Sequence, residues 1–134
     1  MSEAQLSDRQ RPVAEPTHEV LDAEIIGRLE SLGEAIGEDF LGELAALFLA
    51  DAERQIAELR QALADADGDS VARLAHSLKG SSANLGASHL ASVCASVETA
   101  GGADHLLVCG LLIDAMEAEL GRVRAALGAQ IRTS

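Results

Sequence analysis

The sequence predicts an all-α protein: an antiparallel, up-and-down four-helix bundle with an additional short N-terminal helix. Apolar residues recur at steps of three and four along most of the chain, and no long segment alternates apolar and polar residues with a period of two. Aromatic residues make up only 1% of the 134 residues, so Leu, Ile, Val and Ala must fill the core, which suits packed helices better than a β-sandwich. The helical patterns are joined by short connections, which imply antiparallel neighbours.

A polar leader precedes the first two helices. Residues 1–19 are predicted to be disordered, because they hold both prolines of the chain, few apolar residues and no helical period. Asp22 is expected to cap a first short helix, and Gly33 and Gly37 are expected to end it. The second helix is expected to run from about residue 39 to residue 66, because an apolar stripe continues along one of its faces over that distance.

The remaining three helices are separated by acidic and glycine residues. Either Asp69 or Ser70 is expected to cap the third helix, which Gly86 stops. The fourth is expected to run from about Ser88 to Thr99. Gly101 and Gly102 are expected to form the turn after it. Asp104 is expected to open the fifth helix. Residues 106–113 are apolar on all sides of a helical wheel, so the pattern does not determine where the fifth helix starts.

Composition excludes several classes of function. Ten Lys and Arg against 22 Asp and Glu give a formal net charge of −12, which argues against a protein that holds nucleic acid by its phosphates. The absence of Trp and Tyr from the sequence argues against a base-stacking surface. Two cysteines, Cys94 and Cys109, are too few for a disulfide framework and are expected to be reduced core thiols. With no secretory signal and no apolar run near the roughly 20 residues that span a bilayer, we expect a cytoplasmic protein without a membrane partner.

The third helix places one histidine on an exposed face. On a helical wheel, six residues of this segment share the core side: Val71, Leu74, Ala75, Leu78, Ser82 and Leu85. His76 then points to solvent. Its neighbours on the wheel are one lysine and three residues with small or missing side chains: Ala72, Lys79, Gly80 and Ala83.

Gly80 makes this face unusual. A glycine inside a helix costs up to about 1 kcal/mol relative to alanine, and Gly80 lies one turn after His76. The missing side chains would let a second macromolecule lie flat on the helix and reach the imidazole. The alternative is an ordinary exposed histidine beside a glycine that is tolerated for helix packing.

Charge distribution favours an anion at this face. Residues 70–97 contain no Asp or Glu but do contain Arg73 and Lys79, so they carry +2 and the rest of the chain carries −14. A single phosphoryl group fits such a window. A neutral imidazole has a lone pair available near neutral pH and can act as a nucleophile. Lys79, one turn away, could offset the charge of a phosphoryl group on His76.

The string AHSLKGSSANLGASHLASVCASVE, residues 75–98, resembles the core motif of histidine-containing phosphotransfer (HPt) domains. Residues 21–67 resemble the first two helices of that family, so the likeness covers residues 21–127. The HPt domain is accordingly placed at residues 20–130. The resemblance implies a histidine phosphotransfer protein of a two-component phosphorelay, in which a phosphoryl group passes between receiver-domain aspartates through the protein's own histidine.

The resemblance also assigns roles to individual residues. It implies that His76 is phosphorylated on Nε2, that Lys79 supports the phosphate and that Gly80 gives the partner access. Glu98, on the adjoining helix, is expected either to hydrogen-bond the ring or the lysine, or to be a solvated end-of-helix residue. Three residues complete the set of possible contributors: Arg73, Ala72 and Ala83.

The partners that the resemblance implies are receiver domains of response regulators and hybrid sensor kinases. The protein itself is expected to be a monomer. No cofactor is expected, and the magnesium ion would belong to the receiver. The chain has no G-x-x-x-x-G-K-[ST] loop, so no intrinsic ATP-dependent kinase activity is expected.

Three rival functions fit the residues less well. A metal-binding bundle, whose signature is Glu-x-x-His on helices, is disfavoured because no Glu stands three residues before His76, His89 or His105, and the pair of Glu15 and His18 lies in the leader outside the predicted helices. The histidines other than His76 are expected at the surface. A Ser–His hydrolase is disfavoured because residues 70–97 supply no orienting acid. The main alternative is a non-catalytic helical-bundle interaction module that binds receiver domains without phosphotransfer. Such a module would be expected to have lost His76 or Lys79, and both are present.

Overall fold

A computed structural model describes residues 18–133 of the chain. Residues 1–17, which make up most of the predicted leader, lie outside the described residues. The last two residues of that leader are described, and both make contacts. His18 hydrogen-bonds Glu119, and the carboxylate of Glu19 accepts from the backbone N–H of Ala23 at 3.1 Å.

Five α-helices account for most of the described residues, and no strand occurs among them. They are α1 (Ala23–Ile36), α2 (Phe40–Ala64), α3 (Gly68–Asn84), α4 (Ser88–Gly102) and α5 (Leu106–Thr133). Helices α2 to α5 each pack against the next, and α5 packs back against α2, which closes a four-helix bundle. The predicted all-α fold is therefore confirmed.

Ion pairs between α2 and α5 show that these helices are antiparallel. Arg60, late in α2, pairs with Asp114 and Glu117 early in α5, whereas Glu53 pairs with Arg124 further along α5. The short α1 packs on α2, and its cap residue ties it to the turn between α3 and α4. These contacts place α1, the predicted additional N-terminal helix, beside one end of the bundle.

The ends of α1 combine one confirmed cap with one correction. Asp22 caps the helix by accepting from Glu24 N and Ile25 N, and Gly37 ends it in the left-handed region with φ 71°. Gly33, which was predicted to end the helix as well, lies inside it. A Cβ atom on Gly33 would meet Glu38 O at 2.7 Å, so this glycine serves the close approach of the following turn.

The start of α3 lies two or three residues earlier than predicted. Asp67, rather than Asp69 or Ser70, caps the helix by accepting from Ser70 N at 3.1 Å. An aspartate at this position reaches the free N–H three residues on, so the first turn forms earlier than expected. The predicted stop is confirmed, because Gly86, two residues after the last residue of the helix, has φ 87°.

The predicted turn at Gly101 and Gly102 is wrong, since both residues are the last of α4. Gly101 packs directly against the start of α3: a Cβ atom there would lie 2.9 Å from Gly68 O. Glycine is thus needed for backbone contact between two helices and not for a turn. Asp104, predicted to open the fifth helix, instead lies in the turn with φ 57°, and α5 begins at Leu106.

The core is aliphatic, as the composition requires. Of the six residues in and just after α3 that were predicted to face it, five are buried and Leu74 is partly buried. Cys94 and Cys109 are both buried and free, which confirms the prediction of core thiols. Burial raises the pKa of the Cys94 thiol to about 12, so this sulfur stays protonated near neutral pH. No helix within residues 18–133 is both long enough and apolar enough to cross a membrane.

Candidate functional site

The exposed histidine lies in the middle of α3, on the side opposite the core. Ala75 and Leu78, its neighbours along the helix, are buried and fix the rotation of α3 about its own axis. The side chain of His76 is 67% exposed. The helical wheel predicted this direction correctly, because the apolar period of α3 determines which residues face away from the bundle.

A carboxylate on α4 links the histidine to the lysine one turn further on. Antiparallel packing of α3 and α4 brings Glu98 opposite His76 and Lys79. Glu98 Oε2 lies 2.9 Å from His76 Nδ1, and Glu98 Oε1 accepts from Lys79 Nζ at 2.7 Å. Of the two alternatives open for Glu98, the structure therefore has the hydrogen-bonded one, and the carboxylate serves both partners at once.

This hydrogen bond determines which ring nitrogen is available. An ionised carboxylate can only accept, so the hydrogen between the two groups belongs to His76 Nδ1. In the neutral imidazole the lone pair is then on Nε2. Nε2 has no hydrogen-bond partner within residues 18–133, and it belongs to a largely exposed ring. The arrangement presents a nucleophilic nitrogen to an approaching molecule.

Glu98 is held in its charged form. The hydrogen bond from Lys79 is the main cause that lowers the pKa of the Glu98 carboxyl below its usual range, and the bond from His76 lowers it further. Partial desolvation opposes both effects. The carboxylate therefore remains a hydrogen-bond acceptor for the ring across neutral and mildly acidic pH.

The surface beside the histidine is open. Gly80 is exposed, and a Cβ atom built on it would have nothing within 4 Å. Ala83 is exposed and Ala72 is half-buried, so neither shields the ring with a long side chain. The structure thus brings together six predicted residues around one face: His76, Lys79, Gly80, Glu98, Ala72 and Ala83.

Arg73 is the one predicted residue that points elsewhere. Its guanidinium donates to Ser70 Oγ at 3.1 Å, which turns the side chain toward the start of α3. Its charge still belongs to the acid-free window of residues 70–97. Glu98, which is the first acid after that window, is the carboxylate that pairs with His76.

A cluster of two histidines and one glutamate, His18, His89 and Glu119, was not predicted from the sequence. His18 and His89 are half-buried and stack with their ring centroids 3.6 Å apart, so the expectation that they lie at the surface is wrong. His18 Nε2 lies 2.9 Å from both carboxylate oxygens of Glu119, which is 1% exposed. One signal could have revealed the cluster. Glu119 falls within the apolar stripe of α5, where a charged residue needs a partner.

Comparisons with known proteins converge on one family. The family model described as Hpt domain matches residues 43–126. Histidine-containing phosphotransfer protein 1 of Oryza sativa subsp. japonica is 39% identical over 69 residues, which are 50% of this chain and 47% of the relative. The chain therefore matches about half the length of that relative.

Solved structures agree with this assignment. The crystal structure of histidine-containing phosphotransfer protein B (HptB) from Pseudomonas aeruginosa PAO1 matches with a TM-score of 0.76 and 30% identity, covering 88% of this chain and 99% of that chain. An X-ray structure of a rice protein has the same TM-score of 0.76 at 24% identity, with 84% and 82% coverage, and supports the fold alone.

Proposed function

The chain belongs to the Hpt domain family, and from this premise we propose that it is a histidine phosphotransfer protein of a two-component phosphorelay, carrying a phosphoryl group on His76 between receiver-domain aspartates. The observation that carries the proposal is the state of the His76 ring. Its Nδ1 is engaged by Glu98, while its Nε2 is open to a partner.

In the proposed transfer, the lone pair of His76 Nε2 attacks the phosphorus of an aspartyl phosphate on the receiver. A P–N bond forms, the P–O bond to the aspartate breaks, and its electron pair stays on the receiver's carboxylate. The proton on Nδ1 remains in place, so the ring becomes positively charged, and the Glu98 carboxylate 2.9 Å away stabilises that charge. The reverse sequence passes the group to a second receiver.

Lys79 and Gly80 would support this reaction in different ways. Phosphoryl transfer depends mainly on positioning and charge stabilisation. Lys79 Nζ is held 2.7 Å from Glu98, one helical turn from His76, where it can turn toward a phosphoryl group and offset its charge. Gly80 leaves space for the receiver backbone to approach the ring. The magnesium ion and the catalytic carboxylates are proposed to belong to the receiver.

The wider setting is part of the same proposal. We place a monomer in the cytoplasm, where receiver domains of response regulators and hybrid sensor kinases would meet the His76 face. The acidic charge of the rest of the chain disfavours nucleic acid as a partner. Because the sequence lacks an ATP-binding loop, a phosphorylated receiver rather than ATP would be the donor.

The direct test is transfer from a receiver domain charged by a small phosphodonor. Wild-type protein should gain one phosphoryl group, which peptide mapping under alkaline conditions should locate on His76. The His105→Gln variant is a matched control, because His105 is also exposed, and it should be labelled like wild type. Binding to charged receivers without labelling would overturn the proposal in favour of the non-catalytic interaction module.

A further inference from the structure

The half-buried histidine cluster gathers three metal-ligating side chains from distant parts of the chain. His18 precedes α1, His89 is near the start of α4, and Glu119 is on α5. One ligand atom from each of the three lies within 4.8 Å of the others. We propose that this His18–His89–Glu119 cluster binds a divalent transition-metal ion such as Zn²⁺, at a site separate from the phosphorylated histidine.

The donor set fits the chemistry of such an ion. Two imidazole nitrogens and one carboxylate are a known ligand combination for zinc, in which a water molecule completes the coordination. Imidazole suits divalent transition metals, whereas magnesium and calcium prefer oxygen donors. The set of two histidines therefore favours a transition metal over the magnesium ion that a receiver domain would carry.

The distances require only local adjustment. Tetrahedral zinc with bonds of about 2.1 Å holds its ligand atoms about 3.4 Å apart. His18 Nε2 is already 2.9 Å from both oxygens of Glu119, so an ion would replace the proton that now lies between them. The His18 and His89 rings are stacked with an interplanar angle of 21°, and since the His18 nitrogen already faces the carboxylate, rotation of the His89 ring would bring the third ligand atom to the ion.

The buried carboxylate of Glu119 favours the binding of a cation. Glu119 is 1% exposed, and a buried charge must be paired. Its present partners are His18 and Arg122, whose Nη1 donates to Oε1 at 3.0 Å. Arg122 is itself substantially exposed, so it can withdraw toward solvent when an ion takes its place.

The proposed metal site is remote from His76. His89 precedes Glu98, the partner of His76, by about 14 Å along the axis of α4 at 1.5 Å per residue. An ion at the cluster would join the segment before α1 to α4 and α5, and it would not touch the nucleophile. Metal binding and phosphotransfer can therefore be tested independently.

Calorimetric titration of the full chain with Zn²⁺ at pH 7.5, without a histidine tag, tests the site. Wild type should bind one ion. His18→Ala and His89→Ala should each weaken binding at least tenfold, since loss of even an outer-shell partner costs 10- to 100-fold. His105→Ala and His76→Gln are histidine controls outside the cluster and should retain wild-type affinity.

Glu119→Gln should also weaken binding at least tenfold, because it removes the charged ligand. Folding of each variant is checked by circular dichroism, and His18→Ala, whose residue precedes α1, keeps the test valid if Glu119→Gln fails to fold. Absence of binding at millimolar Zn²⁺ overturns the proposal. Equal affinity in the cluster variants and the wild type does so too. Loss of binding in His76→Gln alone would place the ion at the phosphotransfer site and also refute the cluster. None of these results depends on whether His76 accepts a phosphoryl group.

Discussion

Two histidine–glutamate pairs in this protein have the same separation and opposite surroundings. His76 meets Glu98 at 2.9 Å through Nδ1 on an exposed face, whereas His18 meets Glu119 at 2.9 Å through Nε2 against a buried carboxylate. The first ring is 67% exposed and the second 25%. The two pairs differ in which ring nitrogen the carboxylate engages and in how deeply the pair is buried, and these two differences separate the proposed nucleophile from a histidine that binds a buried carboxylate.

The difference follows from where each carboxylate lies on its helix. Glu98 follows the buried Val97 near the end of α4 and remains partly exposed, so its pair stays at the surface. Glu119 lies among core residues of α5 and needs counter-charges to be buried at all. We therefore expect the first pair to govern reactivity and the second to govern stability.

The largest expected effect separates the two histidines by their chemistry. His76→Gln should abolish phosphoryl uptake from a charged receiver while leaving the unfolding midpoint unchanged, because the exposed ring makes few packing contacts. His18→Gln is the matched variant and should keep wild-type uptake. Acid-labile labelling that persists in His76→Gln would refute the assignment of the nucleophile.

Gly80→Gln should reduce the rate of transfer about 100-fold, because a long side chain beside the ring displaces the partner and small misplacements are costly in transfer reactions. Gly121→Gln is the matched control on α5, since a Cβ atom added to either glycine would have nothing within 4 Å. Helix propensity predicts that neither variant is less stable than wild type. Wild-type rates in Gly80→Gln would show that the partner does not need the space at Gly80 to reach the His76 ring.

The paired glutamates should differ most in stability. Glu119→Ala should lower the free energy of unfolding by about 3 kcal/mol. The substitution leaves a cavity at a buried position and removes the carboxylate that His18 and Arg122 now bind. Glu98→Ala, at the surface, should change the unfolding free energy far less. Urea unfolding in the presence of a chelator measures both. A larger loss in Glu98→Ala than in Glu119→Ala would reverse the roles inferred from burial.

Sequence reasoning succeeded wherever the determinants were local. The apolar period of α3 was sufficient to place His76, Lys79 and Gly80 on one face, since a helix fixes the direction of each side chain from its own sequence. The cap at Asp22 and the stop at Gly86 were likewise local. The position of Glu98 opposite the ring came from resemblance to a family and not from periodicity.

Features that depend on contacts between distant segments could not be derived in this way. From the sequence alone Gly101 is typical of a turn. Its role in the close contact with the backbone of Gly68 is visible only in the folded structure. The contact between His18 and Glu119 joins residues 101 positions apart. Neither contact leaves a period in the sequence, and each depends on how helices are brought together by the whole bundle.

Lys79→Ala should slow transfer about tenfold, the loss expected when one charge-assisted hydrogen bond to a phosphoryl group is removed at a partly exposed site. Rapid-quench kinetics with a charged receiver measures this rate. Arg73→Ala removes the other positive charge of the acid-free window without touching the His76 site, and it should have a smaller effect. Equal effects of the two variants would mean that Lys79 acts only through the general field of the window.

The smallest expected effect concerns which partner holds Glu98 in its charged form. The pKa of this carboxyl is lowered chiefly by the hydrogen bond from Lys79 and to a lesser degree by that from His76. Carboxylate NMR titration should therefore show a larger rise in this pKa for Lys79→Ala than for His76→Gln. Because the folded pKa lies below the unfolded value, the pair contributes to stability above the unfolded pKa and loses that contribution as the pH falls through the folded one. A larger rise in His76→Gln would make the ring the main partner of Glu98, and Lys79 would then be free to serve the phosphoryl group alone.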